Sequence, residues 1–330
     1  MKKSLRVARN GLIILLLSPA LALGAVFLFP QIILSVAGSL MKTEGIDWNK
    51  IHVLDPKIIW RLRPNLGPFV FSGTLPDSSP LDFRLTTNAM GFRGKPIRPR
   101  GPQLRILAIG DSTTFGLGVD DDKTWPAVLE SLLQNKGIDA EVINAGVSGY
   151  SAFQGLRLLK EHGEKLRPDI VIATFGHTEV ERSGPSDIER QAVLGSRLRL
   201  LLSIFRDPWQ EKTQSLRMSP EEFREAMMAL RHECTTINAK LILVAWPNRQ
   251  ECDCTKNPAP GPDCPPADPT YYLLVKEIAS TLGVPVLDVL PVMKEQDNIY
   301  FDTVHFTEKG NGIVAQHLLA TLEALDLLVR

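Results

Sequence analysis

The stretch Arg105-Ile106-Leu107-Ala108-Ile109-Gly110-Asp111-Ser112-Thr113-Thr114 decides the architecture of this 330-residue chain. A short apolar run halted by glycine reads as a buried strand. Asp and Ser just beyond it are favoured helix caps, so the chain turns from strand to helix at Ser112. The same alternation continues downstream. Strands are expected at 105–109, 140–144, 169–175, 241–246 and 285–289. Helices are expected near 125–135, 152–166, 220–238, 271–282 and 308–328. The third of them opens on Ser219-Pro220-Glu221-Glu222, a capping box with Pro at the first helical position. Five strands alternating with helices predict an α/β fold whose parallel sheet is covered on both faces. In such sheets ligands bind beyond the carboxyl ends of the strands.

Residues 104–330 therefore read as one α/β domain, with an insertion at 181–217 lying over a sheet edge or over the site. Residues 46–103 read as an irregular lead-in packed on that domain. It is rich in turn formers, among them Asp55-Pro56, Arg63-Pro64-Asn65 and the run Asn88-Ala89-Met90-Gly91-Phe92-Arg93-Gly94.

Residues 1–45 differ from both. Lys2, Lys3, Arg6 and Arg9 precede Gly11 to Met41, a stretch without a single charge. A span needs only ~20 apolar residues, so this segment is long enough for a transmembrane helix kinked at Pro19 and Pro30. The basic residues hold the N-terminus in the cytoplasm and place the remaining chain outside it, in the periplasm or beyond. A cleaved signal peptide is the competing reading, because Ala20-Leu21-Ala22 offers small residues suited to cleavage.

Composition narrows the class. Apolar residues make up 44% and charged residues 22%, which excludes disorder and a small disulfide scaffold for the chain as a whole. The formal net charge is zero. Residues 1–45 hold five basic residues against one acidic, so the remainder is mildly acidic, and no nucleic-acid partner is expected. Cys252, Cys254 and Cys264 lie in a Pro-rich loop and Cys234 in a helix. A disulfide staple of that loop is the expectation outside the cytoplasm, with the pairing open. No His lies near the loop to complete a zinc site, and neither metal nor cofactor is expected.

The chemistry sits at the expected strand ends. Ser112 follows the first strand directly, where a hydroxyl can stand at the top of the sheet beside backbone N–H groups facing a developing oxyanion. Asp302 and His305 are three residues apart just before the last helix, so one loop can present both. The imidazole can take the serine proton while the carboxylate orients it.

This set resembles the SGNH hydrolase family, the GDSL esterases and lipases. Gly110-Asp111-Ser112 through Phe115-Gly116-Leu117-Gly118-Val119 to Trp125-Pro126 looks like that family's first block. Asn144-Ala145-Gly146-Val147-Ser148-Gly149-Tyr150-Ser151 looks like the second, and Asp302 to His305 like the last. The lead-in resembles what precedes the domain in membrane-anchored bacterial members. The resemblance runs from about Asp55 to the C-terminus and implies a flavodoxin-like three-layer sandwich around a five-stranded sheet. It further implies Ser112, His305 and Asp302 as catalytic residues, and Ser112 and Gly146 as oxyanion donors. One block departs: where the family carries Gly-x-Asn, this chain has Gly176-His177-Thr178-Glu179, so Thr178 stands as a shorter third donor.

The implied activity is hydrolysis of carboxylic esters on a small molecule, glycan or lipid, with O-acetylated envelope glycans as one candidate class. Acyl transfer to a sugar hydroxyl, and a weakly active domain that binds glycan or scaffolds an envelope complex, are the alternatives. Asp120, Asp121 and Asp122 read as a solvated loop, and Arg93, Arg98 and Arg100 as a solubilising face. His52, His162, His232 and His317 have no partner pattern.

Overall fold

The computed structural model describes residues 50–74, 80–182, 184–196, 215–249 and 270–328. The expected membrane helix, the loop holding Cys252, Cys254 and Cys264, and most of the 181–217 insertion lie outside these residues. Among the described residues no helix is long and apolar enough to cross a membrane.

Five parallel strands form the central sheet: β5 (Leu104–Gly110), β6 (Ala140–Gly146), β7 (Ile170–Thr174), β8 (Lys240–Ala245) and β9 (Val286–Asp288), in the order β6-β5-β7-β8-β9. The helices are α1 (Ser112–Phe115), α2 (Trp125–Asn135), α3 (Ala152–Leu166), α4 (Asp187–Leu194), α5 (Pro220–Thr236), α6 (Thr270–Leu282), α7 (Leu290–Met293) and α8 (Glu308–Ala324). The strand pattern explains why both faces are covered. Leu107, Ile109, Ile143, Val171, Leu241 and Leu243 point into one apolar cluster that includes α3, α5 and α6. Ile106, Ala108, Val142, Ile172, Ile242 and Val244 point into the other, with α2 and α8. Side chains two apart share a face. The capping box is present as read: Glu222 N donates to Ser219 Oγ at 3.2 Å, and Ser219 N donates to Glu222 Oε2 at 2.7 Å.

The lead-in is more ordered than its sequence predicts. It carries two antiparallel pairs, β1 (His52–Asp55) with β2 (Ile59–Leu62), and β3 (Phe69–Thr74) with β4 (Pro80–Leu85). Ile51, Ile58, Leu62, Phe83 and Leu85 are buried in the same cluster as β5 and β7. The lead-in thus completes the core. The described part of the insertion includes α4, whose Gln191 Nε2 donates to Pro56 O at 3.2 Å, so this helix packs against the β1–β2 turn.

Two surface expectations are corrected. Arg93 is buried, its guanidinium bonded to Asp121, because its hydrogen bonds replace those lost to solvent. The Asp120–Asp122 run is no free solvated loop: Asp120 Oδ1 accepts from Arg84 N at 2.7 Å, and Asp121 Oδ2 accepts from Thr86 N at 2.8 Å. Both carboxylates pin the lead-in to the segment that follows α1.

Candidate active site

The site forms at the carboxyl ends of β5, β6 and β7. At Gly110 an added Cβ would meet Thr114 Oγ1 at 2.2 Å and Thr174 O at 2.5 Å, so only glycine lets α1 fold back this tightly over the strand. Asp111 caps the turn, its Oδ1 accepting from Thr113 N at 2.8 Å and from Thr113 Oγ1 at 2.7 Å. Ser112 is the first residue of α1 and half-buried.

On the opposite side, Asp302 Oδ1 accepts from Val304 N at 2.8 Å and His305 N at 2.7 Å, closing a turn that presents both side chains. His305 Nδ1 lies 2.6 Å from Asp302 Oδ2, and His305 Nε2 lies 2.7 Å from Ser112 Oγ. With Nδ1–H donating to the carboxylate, Nε2 accepts from the serine hydroxyl. Burial on its own would lower the imidazole's pKa, but the Asp302 charge and hydrogen bond outweigh it and hold His305 above its usual value. Burial would likewise raise Asp302, yet the facing imidazole and the two backbone N–H groups keep it below the ordinary carboxylate range. Phe301 stacks on His305 at 5.7 Å, nearly parallel, and Trp246 Nε1 donates to Val304 O at 3.1 Å. The loop is therefore held from both flanks.

The sequence profile of the GDSL-like Lipase/Acylhydrolase family matches residues 108–313. The chain belongs to that family. Among curated relatives, an arylesterase of Vibrio mimicus is 30% identical over 103 residues, covering 31% of this chain and 49% of the relative. Esterase TesA of Pseudomonas aeruginosa is 34% identical over 71 residues, covering 22% and 35%. The chain thus spans about half or less of the length of the curated relatives it matches. A lipase/acylhydrolase crystal structure from Enterococcus faecalis superposes with a TM-score of 0.47 at 18% identity, covering 67% of this chain and 95% of that one.

Beside this GDSL-type constellation, the structure separates the expected oxyanion donors. Gly146 is corrected. Its N–H donates to Asn144 Oδ1 at 3.1 Å, inside the sheet, and an added Cβ would meet Phe115 N at 2.3 Å, so its role is close packing under α1. Three residues on, Gly149 is half-exposed at φ +76°, a left-handed conformation that glycine adopts readily, and its N–H has no acceptor among the described residues. Its neighbour comes from the lead-in: Trp60 lies 3.4 Å from where a Gly149 Cβ would be, and Trp60 Nε1 donates to Ser148 O at 3.3 Å. Sequence reasoning missed both residues. The glycine of Ser148-Gly149-Tyr150 was visible in the sequence but its left-handed conformation was not, and Trp60 is joined only through a long-range contact.

Thr178 is buried in the loop after β7, and its hydroxyl has no partner among the described residues. Glu179 braces that loop: Oε1 accepts from Ala152 N at 2.8 Å and Oε2 from Gly176 N at 2.9 Å, joining the start of α3 to the end of β7. Burial, reinforced by the Asp111 charge, pushes its carboxyl up to about 8. His177 turns aside, its Nε2 lying 3.1 Å from Trp246 O, and burial lowers its pKa. Cys234 is a free, buried thiol, and burial pushes its pKa up to about 12, far from a reactive thiolate.

Proposed function

We propose that this chain is a serine esterase that hydrolyses carboxylic esters through an acyl-enzyme. The observation that carries the proposal is the continuous hydrogen-bonded path from Asp302 through His305 to Ser112 Oγ, at 2.6 and 2.7 Å. In this reading Ser112 attacks the ester carbonyl and its proton passes to His305 Nε2. Asp302 stabilises the imidazolium that forms. The imidazolium then protonates the leaving alcohol, and water activated by the same imidazole releases the acid. The oxyanion is met by the Ser112 N–H, the Gly149 N–H and the Thr178 hydroxyl.

The substrate class follows from address rather than from the site. The charge-free segment behind four N-terminal cations anchors the chain in a membrane, with the domain outside the cytoplasm. That position favours acyl groups of the envelope, on glycans or lipids. Incubating the protein with an aryl acetate, with and without an O-deacetylated glycan, tests the reading. Free acetate in equal yield under both conditions supports hydrolysis, ester appearing on the glycan marks acyl transfer, and no turnover by the wild type rejects both.

A further inference from the structure

We propose that Arg93 is a positioning residue for Ser112, supplied by the lead-in to a site whose family match begins only at residue 108. This rests on the esterase reading above. The guanidinium is almost wholly buried, its side chain 1% exposed. Nη1 donates to Phe115 O at 2.8 Å and Gly116 O at 2.7 Å, and Nη2 donates to Val119 O at 2.6 Å and Arg84 O at 3.1 Å. Nε donates to Asp121 Oδ1 at 2.7 Å, and the plane stacks on Phe115 with its centre 4.6 Å from the ring. All five donors of the planar fork are in use, two of them on the carbonyls that end the nucleophile turn and the rest on Val119, Asp121 and Arg84, a set that an ammonium group cannot reproduce.

What it holds is α1. A helix of one turn is not self-sustaining, since nucleation fixes several residues for very few hydrogen bonds. Its amino end is tied by Asp111, and its last carbonyls, at Phe115 and Gly116, are orphans of the helix terminus. Arg93 takes both. Gly116 N and Leu117 N in turn donate to Ser112 O at 2.9 and 3.1 Å, so the guanidinium is one peptide removed from the nucleophile's own backbone. Arg93 N also donates to Asn144 O at 3.1 Å, and Asn144 Nδ2 donates to Phe115 O at 3.3 Å. The lead-in, β6 and α1 thus meet at one carbonyl. The cation at the helix carboxyl end further suits the turn's dipole.

The test compares the wild type with Arg93→Lys and Asp121→Asn in the full chain. It reads the rate of fluorophosphonate labelling, kcat and KM on an aryl ester, and amide exchange along the backbone. Displacements of about 1 Å at a reacting group cost up to ~10²-fold. Arg93→Lys is expected to lower labelling and kcat by about 10- to 100-fold with KM nearly unchanged, and to speed exchange at Gly116 and Leu117 while β7 and β8 stay protected. Asp121→Asn, altered only at the half-exposed carboxylate, is expected to show the same pattern more weakly. Wild-type labelling and exchange in a folded Arg93→Lys protein overturn the proposal. If the lysine variant does not fold, wild-type kcat and exchange in Asp121→Asn overturn it instead. Absence of labelling in the wild type contradicts the esterase reading, while exchange at Gly116 and Leu117 still decides what Arg93 holds.

Discussion

His305 Nε2 and Ser112 Oγ lie 2.7 Å apart across 193 positions of sequence, brought together because each lies at or just before the start of a helix at the carboxyl end of one sheet. Ser112 opens α1 directly after β5, and His305 precedes α8 by three residues. Helices α2 and α8 pack on the same face of the sheet, which fixes the loop before α8 over the end of β5.

The imidazole accepts the serine proton only when neutral. Since Asp302 holds His305 above its ordinary value of 6.5, activity should rise with pH along a limb centred above that value. Asp302→Asn removes the attraction and leaves burial, so the limb should move downward while kcat falls by up to about 10⁴-fold. A pH–rate profile of both proteins measures this. A limb that stays in place in the variant contradicts the assignment.

Thr178→Val keeps the side chain's shape and removes its hydroxyl. If that hydroxyl meets the oxyanion, kcat should drop by about 10²-fold with little change in KM. Steady-state kinetics on an aryl ester decide it; unchanged kcat would leave the oxyanion to the backbone donors alone.

Glu179 gives a stability test. Its folded pKa of about 8 lies above the ordinary 4.5, so its contribution is complete below 4.5 and lost as pH rises toward 8. The wild type should therefore lose Tm across that window relative to Glu179→Gln, whose amide does not titrate. Parallel melting curves from pH 4.5 to 8 would contradict the burial argument.

Asn311 joins the last helix to the second. Its Oδ1 accepts from Trp125 N at 3.0 Å, and its Nδ2 donates to Phe306 O at 3.0 Å, all within the core. Asn311→Ala leaves a buried N–H and a carbonyl without partners and should cost about 2–4 kcal/mol, read by urea denaturation.

The sheet was legible because its strands are buried on both faces and read as short apolar runs. Helices 125–135 and 152–166 match their expected limits. The triad was legible because Asp302 and His305 share one turn and Ser112 follows a strand. What sequence hid was long-range. Strands β1 to β4 are short, lie among Pro and Gly, and owe their order to packing on the domain. Arg93 reads as a surface cation until its four carbonyl partners are assembled around it. Gly146 and Gly149 lie three residues apart in one glycine-containing run, and it is the fold that distinguishes them, through the hydrogen bond of Gly146 N to Asn144, its close packing under α1 and the left-handed φ of Gly149.

The central claim is that Ser112 is a nucleophile activated by His305. Intact-protein mass after treatment with a fluorophosphonate tests it most directly. The account predicts a single adduct on the wild type, located at Ser112, and none on Ser112→Ala or at comparable rate on His305→Ala. A wild type that stays unmodified, or an adduct that persists in Ser112→Ala, would contradict it.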